Sequence, residues 1–187
     1  MAAAAVAFAV LALACGRDPG PPPAPGPGVA LPAGLDTTVE RLVDGDTLVV
    51  AGGHPVRLIG IDTPETKDPR LGVECYGPEA SAALEALLPP GIGVRLVGDV
   101  EPADVYQRTL AYAYRLPDGL FVNAEMVRQG YAHTLTIPPN VAHSDELVAL
   151  AAEARDQGRG LWAACGEDGL APAPGRKTSS TPRPGGG

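Results

Sequence analysis

Between Arg57 and Glu65 the chain reads Arg-Leu-Ile-Gly-Ile-Asp-Thr-Pro-Glu. This alternating run carries a guanidinium at one end and delivers carboxylates and a hydroxyl into a proline turn at the other. One hairpin upstream lies Asp44-Gly45-Asp46-Thr47. Taken singly, each piece is bland. Asp-Gly is a common hairpin turn, Thr63-Pro64 a common bend, and an arginine at a strand end a common ion-pair partner. Together they are not bland, because adjacent strands of a meander bring Asp46 close to Asp62 and Thr63, and no apolar packing calls for oxygens there. Carboxylates with a backbone carbonyl are hard ligands suited to Ca²⁺ or Mg²⁺ and not to zinc, and a two-carboxylate site leaves positions for water and a phosphate oxygen. Arg57 and Arg108 are planar forks able to bind phosphate bidentately and to stabilise charge developing on phosphorus. The combined chemistry is that of holding a phosphodiester beside a hard metal ion.

Positioning such groups requires a stiff frame. Thr38 to Val43 and Thr47 to Ala51 alternate and are β-rich, with the Asp44-Gly45 turn between them. Gly52-Gly53 supplies a second tight turn before a strand over Val56 to Ile61, so three strands form a meander. Pro78 to Leu88 is a helix with proline near its start and Pro89-Pro90 beyond its end. Val94 to Val97 and Leu110 to Arg115 are two more strands, separated by an acidic loop over Gly98 to Gln107. Val122 to Gln129 and Asp145 to Gln157 are helices stopped by Gly130 and Gly158. Five strands with three helices give an α+β, mainly β, class: a five-stranded barrel of the OB type.

The ends of the chain differ in composition from its middle. Met1 to Ala14 is uncharged and apolar and leads to Cys15. Its length suits the core of a signal peptide and is too short for a spanning helix. Residues 1–15 are therefore expected to direct export, with Cys15 as a lipidation candidate; a signal peptide with an incidental cysteine is the plainer alternative. Residues 16–35 are Pro/Gly-rich, as befits an extended tether, and residues 166–187 are a Gly/Pro/Ser/Thr tail expected to be disordered. Residues 36–165 are left as the folded domain. With Cys15 set aside, Cys75 and Cys165 remain as an even pair in an exported chain, which suggests a disulfide, with two unpaired buried thiols as the alternative. His54, His133 and His143 have no cysteines at zinc spacing.

Charge limits the possible partners. The formal net charge is −8, and from Asp36 to Cys165 roughly 19 acidic side chains face 10 basic ones. Such a chain is a poor non-specific ligand for nucleic acid, since that binding is driven by Lys and Arg through counterion release. Any chemistry on nucleic acid must come from a local cationic site or from a bound cation.

Five motifs appear in order: Asp44-Gly45-Asp46-Thr47, the Arg57–Thr66 run, Tyr76-Gly77-Pro78-Glu79-Ala80-Ser81, Arg108-Thr109-Leu110-Ala111-Tyr112 and Val127-Arg128-Gln129-Gly130. Over roughly Thr38 to Trp162 they resemble the staphylococcal nuclease (thermonuclease) family. The resemblance implies an OB barrel with three helices and calcium-dependent cleavage of DNA and RNA. It implies Arg57 and Arg108 as the phosphate clamp, Glu65 as the residue that orients or deprotonates water, and Asp46, Asp62 and the Thr63 carbonyl as Ca²⁺ ligands. Tyr106, in the loop before Arg108, is a candidate substrate contact. The chain also departs from the family pattern. Gln107 stands where a glycine is usual, and Leu71, Val105 and the Leu135-Thr136-Ile137 segment stand where lysines and stacking tyrosines are usual. The expectation is weaker substrate binding with the chemistry retained, on single strands in preference, by a monomer that meets membrane only through a lipid anchor. The rival expectation is a non-catalytic OB-fold module that binds nucleic acid.

Overall fold

The computed structural model describes residues 30–66, 73–116 and 118–165. The expected signal segment with Cys15, most of the tether, the tail, Lys67 and Leu71 lie outside the described residues. Among the described residues, seven strands and four helices follow in chain order: β1 (Leu35–Leu42), β2 (Thr47–Val50), β3 (His54–Leu58), β4 (Gly60–Asp62), α1 (Gly77–Leu87), β5 (Gly93–Val97), β6 (Thr109–Arg115), α2 (Val122–Arg128), β7 (His133–Leu135), α3 (Ser144–Asp156) and α4 (Leu161–Ala164). Five strands close a barrel in the order β1-β2-β3-β6-β5, consistent with the expected OB-type α+β class. Closure comes from the parallel pairing of β3 with β6, which sets Val56 opposite Thr109 and Leu58 opposite Ala111. That register places the two arginines at one mouth: Arg57 pairs with Leu110, and Arg108 immediately precedes β6.

The barrel is filled by the inward residues of its strands, with Val39, Leu48, Val56, Leu58, Val94 and Ala111 buried against Leu84 and Leu88 of the α1 segment and Met126 of α2. Burial of such side chains, at about 1.5–3 kcal/mol each, is the main force holding strands and helices together. The two β2 neighbours matter most for the site. Antiparallel pairing sets Thr47 opposite Arg57, and the Leu58 amide donates to the Asp46 carbonyl at 2.9 Å, so the Asp44-Gly45 turn is locked onto the strand that carries the arginine.

The structure corrects three expectations. The single strand over Val56 to Ile61 is two strands, because Gly60 adopts φ +80°, a left-handed conformation that glycine enters without steric cost. There the chain leaves the barrel, and β4 pairs instead with β7, setting Asp62 opposite His133. The break is pinned by buried Asn123, whose Nδ2 donates to the Ile59 carbonyl and whose Oδ1 accepts from the Ala113 amide, both at 2.9 Å. Second, β7 is additional to the five expected strands. Third, α4 is a short fourth helix, docked so closely that the Leu161 amide donates to the Gly130 carbonyl at 2.8 Å.

Away from the barrel, Ala154, Leu161, Trp162 and Cys165 form a small second cluster with Cys75 and Tyr76. A disulfide joins Cys75 to Cys165, with a Cα–Cα distance of 5.8 Å and a sequence separation of 90. Closing so long a loop stabilises by about 4–5 kcal/mol at most. Among the described residues, no helix is long and apolar enough to cross a membrane.

Candidate active site

The site is built around Asp46. It is 6% exposed, and both of its carboxylate oxygens are engaged. Oδ1 accepts from the Thr47 hydroxyl at 3.0 Å, while Oδ2 accepts from the Thr63 amide at 3.0 Å and the Thr63 hydroxyl at 3.1 Å. A residue immediately before β2 thereby ties down the segment that follows β4. The approach is tight enough that Gly45 has no room for a side chain: a Cβ there would lie 2.7 Å from Thr63 Oγ1. Asp44 closes the turn by accepting from the Asp46 amide at 3.1 Å.

Arg57 emerges from β3 into the same space, with its side chain 14% exposed. Its Nη2 donates to Asp62 Oδ1 at 2.8 Å, and its Nη1 is in ion-pair contact with Asp46 Oδ1 without the alignment of a hydrogen bond. One guanidinium therefore bridges the two candidate metal-ligand carboxylates. Burial pushes the Arg57 pKa down, opposed by Asp62 and reinforced by the neighbouring cation Arg108; a guanidinium so placed still keeps its charge at neutral pH. Asp62 is the solvent-facing member, its side chain 54% exposed.

Arg108 is held by a residue that sequence reasoning passed over. Asp104 Oδ1 accepts from the Tyr106 and Arg108 amides, each at 2.9 Å, and Oδ2 accepts from Arg108 Nε at 2.7 Å. Burial alone would raise the Asp104 pKa, but these bonds and the Arg108 charge outweigh it and hold the carboxyl below its ordinary value. Arg108 also lies 5.5 Å from the centroid of the Tyr106 ring, which is 77% exposed. Gln107, where glycine was expected, adopts φ +63°. The loop therefore keeps a left-handed residue at this position despite the side chain.

Glu65 follows the buried Pro64. Its Oε1 accepts from the Thr66 amide at 2.8 Å, and its own amide donates to Glu74 Oε2 at 2.8 Å. Asp44, Asp46, Arg57, Asp62, Thr63, Glu65 and Arg108 all line one polar cavity of about 160 Å³. Arg57 and Arg108 also border a neighbouring groove of about 310 Å³, whose remaining wall is largely apolar and includes Ile59, Leu110, Leu135 and Ile137. The geometry thus gathers the expected clamp, metal ligands and glutamate in one place, with Tyr106 on the groove beside it. Cys75 and Cys165 do not line the cavity and are linked to each other, Cys75 being next to Glu74 in the chain.

Among the described residues, no three His, Cys, Asp or Glu side chains are gathered as a ready-made metal centre. The candidate donors are two carboxylates and the Thr63 carbonyl. Glu74, Asp104, Asn123 and Asn140 support the site without having been singled out. The one available signal was for Asp104: an acid four residues before an arginine, across a loop. Asn140 pins that loop from outside, accepting from the Glu101 amide at 2.7 Å and donating to the Glu101 carbonyl at 2.9 Å.

Barrel and cavity together define an OB-type domain with a mixed acidic and cationic site at the mouth where β2, β3 and β6 meet. The model of the staphylococcal nuclease homologue family matches residues 55–164. The thermonuclease of Staphylococcus intermedius is 38% identical over 127 residues, covering 66% of this chain and 74% of that protein. The thermonuclease of Staphylococcus hyicus is 34% identical, over 66% of this chain and 73% of its own length. An SPbeta prophage-derived endonuclease of Bacillus subtilis is 34% identical over 68% of this chain and 44% of its length. The chain belongs to the staphylococcal nuclease homologue family.

Proposed function

We propose that this nuclease is a calcium-dependent hydrolase of DNA and RNA phosphodiesters, that it prefers unpaired strands, and that it is exported as a secreted or lipid-anchored monomer. The nuclease class rests on family membership and on relatives named thermonuclease and endonuclease. The observation that carries the proposed chemistry is the convergence of Arg57, Arg108, Glu65, Asp46 and Asp62 on one cavity.

The residues suit a hard divalent cation. Asp46 and Asp62 already converge on a single positive group, the Arg57 guanidinium, and every other candidate donor is oxygen. Asp46, Asp62 and the Thr63 carbonyl are the residues to hold it. When bound, Ca²⁺ would supply electrostatic stabilisation to the negative charge of the phosphate in the transition state. The chain's own part is positional and electrostatic. Arg108, fixed by Asp104, presents its remaining donors to the equatorial phosphate oxygens. Arg57, on the same cavity, offers the second fork to the phosphate. Glu65, with one oxygen fixed by the Thr66 amide, accepts a hydrogen bond from the attacking water and lines it up opposite the leaving oxygen. The apolar groove next to the clamp gives unstacked bases a surface to lie on, which duplex ends and interiors cannot use without fraying.

Export draws on the apolar run up to Cys15, the Pro/Gly-rich tether and the Cys75–Cys165 bridge, a bond that persists in oxidising compartments. The test is digestion of heat-denatured DNA, duplex DNA and RNA with calcium and with chelator. Calcium-dependent loss of substrate, fastest for denatured DNA, is the expected result. Retention of single-stranded DNA without product in the presence of calcium would instead indicate a binding module.

A further inference from the structure

The Glu65 backbone is clasped from behind by a segment distant in sequence. Its amide donates to Glu74 Oε2 at 2.8 Å, and the Glu74 amide donates back to the Glu65 carbonyl at 2.8 Å. The next residue, Cys75, is bonded to Cys165 at the end of α4. From the other side α1 presses on the same backbone: at Gly77, a Cβ would lie 2.6 Å from Thr66 Cγ2, 3.1 Å from the Pro64 carbonyl oxygen and 3.2 Å from that of Glu65. The far end of the bridge is equally fixed, because Cys165 is buried with Trp162 and Leu161 and the Leu161 amide bonds to the Gly130 carbonyl.

We infer that Glu74 is a positioning residue for Glu65, and that the Cys75–Cys165 disulfide holds Glu74 in the place from which it does so. The physical reason is that Glu65 lies beyond the end of β4, outside the barrel ladders, so the direction of its carboxylate depends on where its backbone is fixed. Glu74 supplies one donor–acceptor pair and Gly77 the wall; the cross-link denies the Glu74 segment the freedom to swing away. A misplacement of about 1 Å in an aligning group costs on the order of 10²-fold in rate, whereas binding made by other groups is spared. The signature of a positioning role is therefore a fall in kcat with KM nearly unchanged.

This inference rests on the proposed role of Glu65 in hydrolysis. The test uses the full-length chain with calcium and single-stranded DNA, comparing the parent with Glu74→Ala, Glu74→Gln and the pair Cys75→Ser/Cys165→Ser. Amide hydrogen exchange is read at Glu65 and at barrel residues Leu48 and Val56. Glu74→Ala is expected to lower kcat at least about tenfold while KM stays within about twofold. Glu74→Gln, which keeps a carbonyl acceptor, is expected to recover most of that loss. The cysteine pair variant is expected to lower kcat similarly and to speed exchange at Glu65 while Leu48 and Val56 stay protected. Unchanged kcat in Glu74→Ala, or unchanged Glu65 exchange in the folded cysteine variant, overturns the inference. If the cysteine variant fails to fold, Glu74→Ala with its disulfide intact decides the question. An inactive parent would contradict the nuclease reading instead, and the exchange measurement would still test the clasp.

Discussion

At the scale of single residues, the site is organised by competition for two carboxylates. Asp46 is nearly buried and needs a counter-charge, and in this structure Arg57 provides it while also reaching Asp62. The same arginine is wanted by the substrate. Arg57→Ala should therefore do more than remove a phosphate contact. Without calcium it should cost about 2 kcal/mol of stability, less than the 3–5 kcal/mol of a fully buried pair because Asp62 is exposed. Calcium should then restore more stability to the variant than it adds to the parent, since the ion takes over the guanidinium's place. Thermal unfolding of both proteins with calcium and with chelator measures this; an equal calcium-induced rise would contradict it. The sequence suggested that Asp46, Asp62, Arg57 and Arg108 belong together only through their combination, since each alone reads as an ordinary turn acid or ion-pair arginine. Asp104 and Glu74 were not, because an acidic residue in a loop reads as solvated surface until its acceptor bonds are known.

At the scale of elements, the decisive event is the break between β3 and β4. The strand pattern over Val56 to Ile61 is continuous in hydrophobicity, since Leu58, Ile59 and Ile61 are all buried, though in different clusters. Alternation alone cannot tell one strand from two that part at a glycine. The break aims the chain at Asp46 and hands Asp62 to β7, a strand of three residues too short to reveal its period. Asn123 holds it open with two buried bonds. Asn123→Ala leaves the Ile59 carbonyl and the Ala113 amide without those partners and should cost about 2–4 kcal/mol. Denaturant unfolding should show the lower midpoint, and a loss under 1 kcal/mol would mean the break holds itself. Gln107 illustrates the opposite case. A departure from the usual glycine leaves the loop with its left-handed turn, because Asp104 gathers the amides on either side of it.

At the scale of the molecule, an acidic chain with a net charge of −8 handles polyanions. Two of its basic side chains, Arg57 and Arg108, line the polar cavity, and the groove beside it is mostly apolar. Binding should consequently be weak and only shallowly dependent on salt. With two arginines engaged, the logarithm of affinity for single strands should fall with that of salt at a slope of about −1.4, at about −0.7 per neutralised phosphate. Titrations of the Glu65→Gln variant with labelled oligonucleotide across ionic strengths read that slope directly. A value steeper than about −3 would require cations beyond Arg57 and Arg108.

The central claim is that one cavity unites the clamp and the water-orienting glutamate, and single-turnover cleavage of denatured DNA by Glu65→Gln and Arg108→Ala tests it most directly. Each change should slow the chemical step by about 10²- to 10³-fold in saturating calcium, the usual effect of deleting one group that acts on the transition state, with the fold intact by circular dichroism. Cleavage by either variant at the parent's rate would contradict the account.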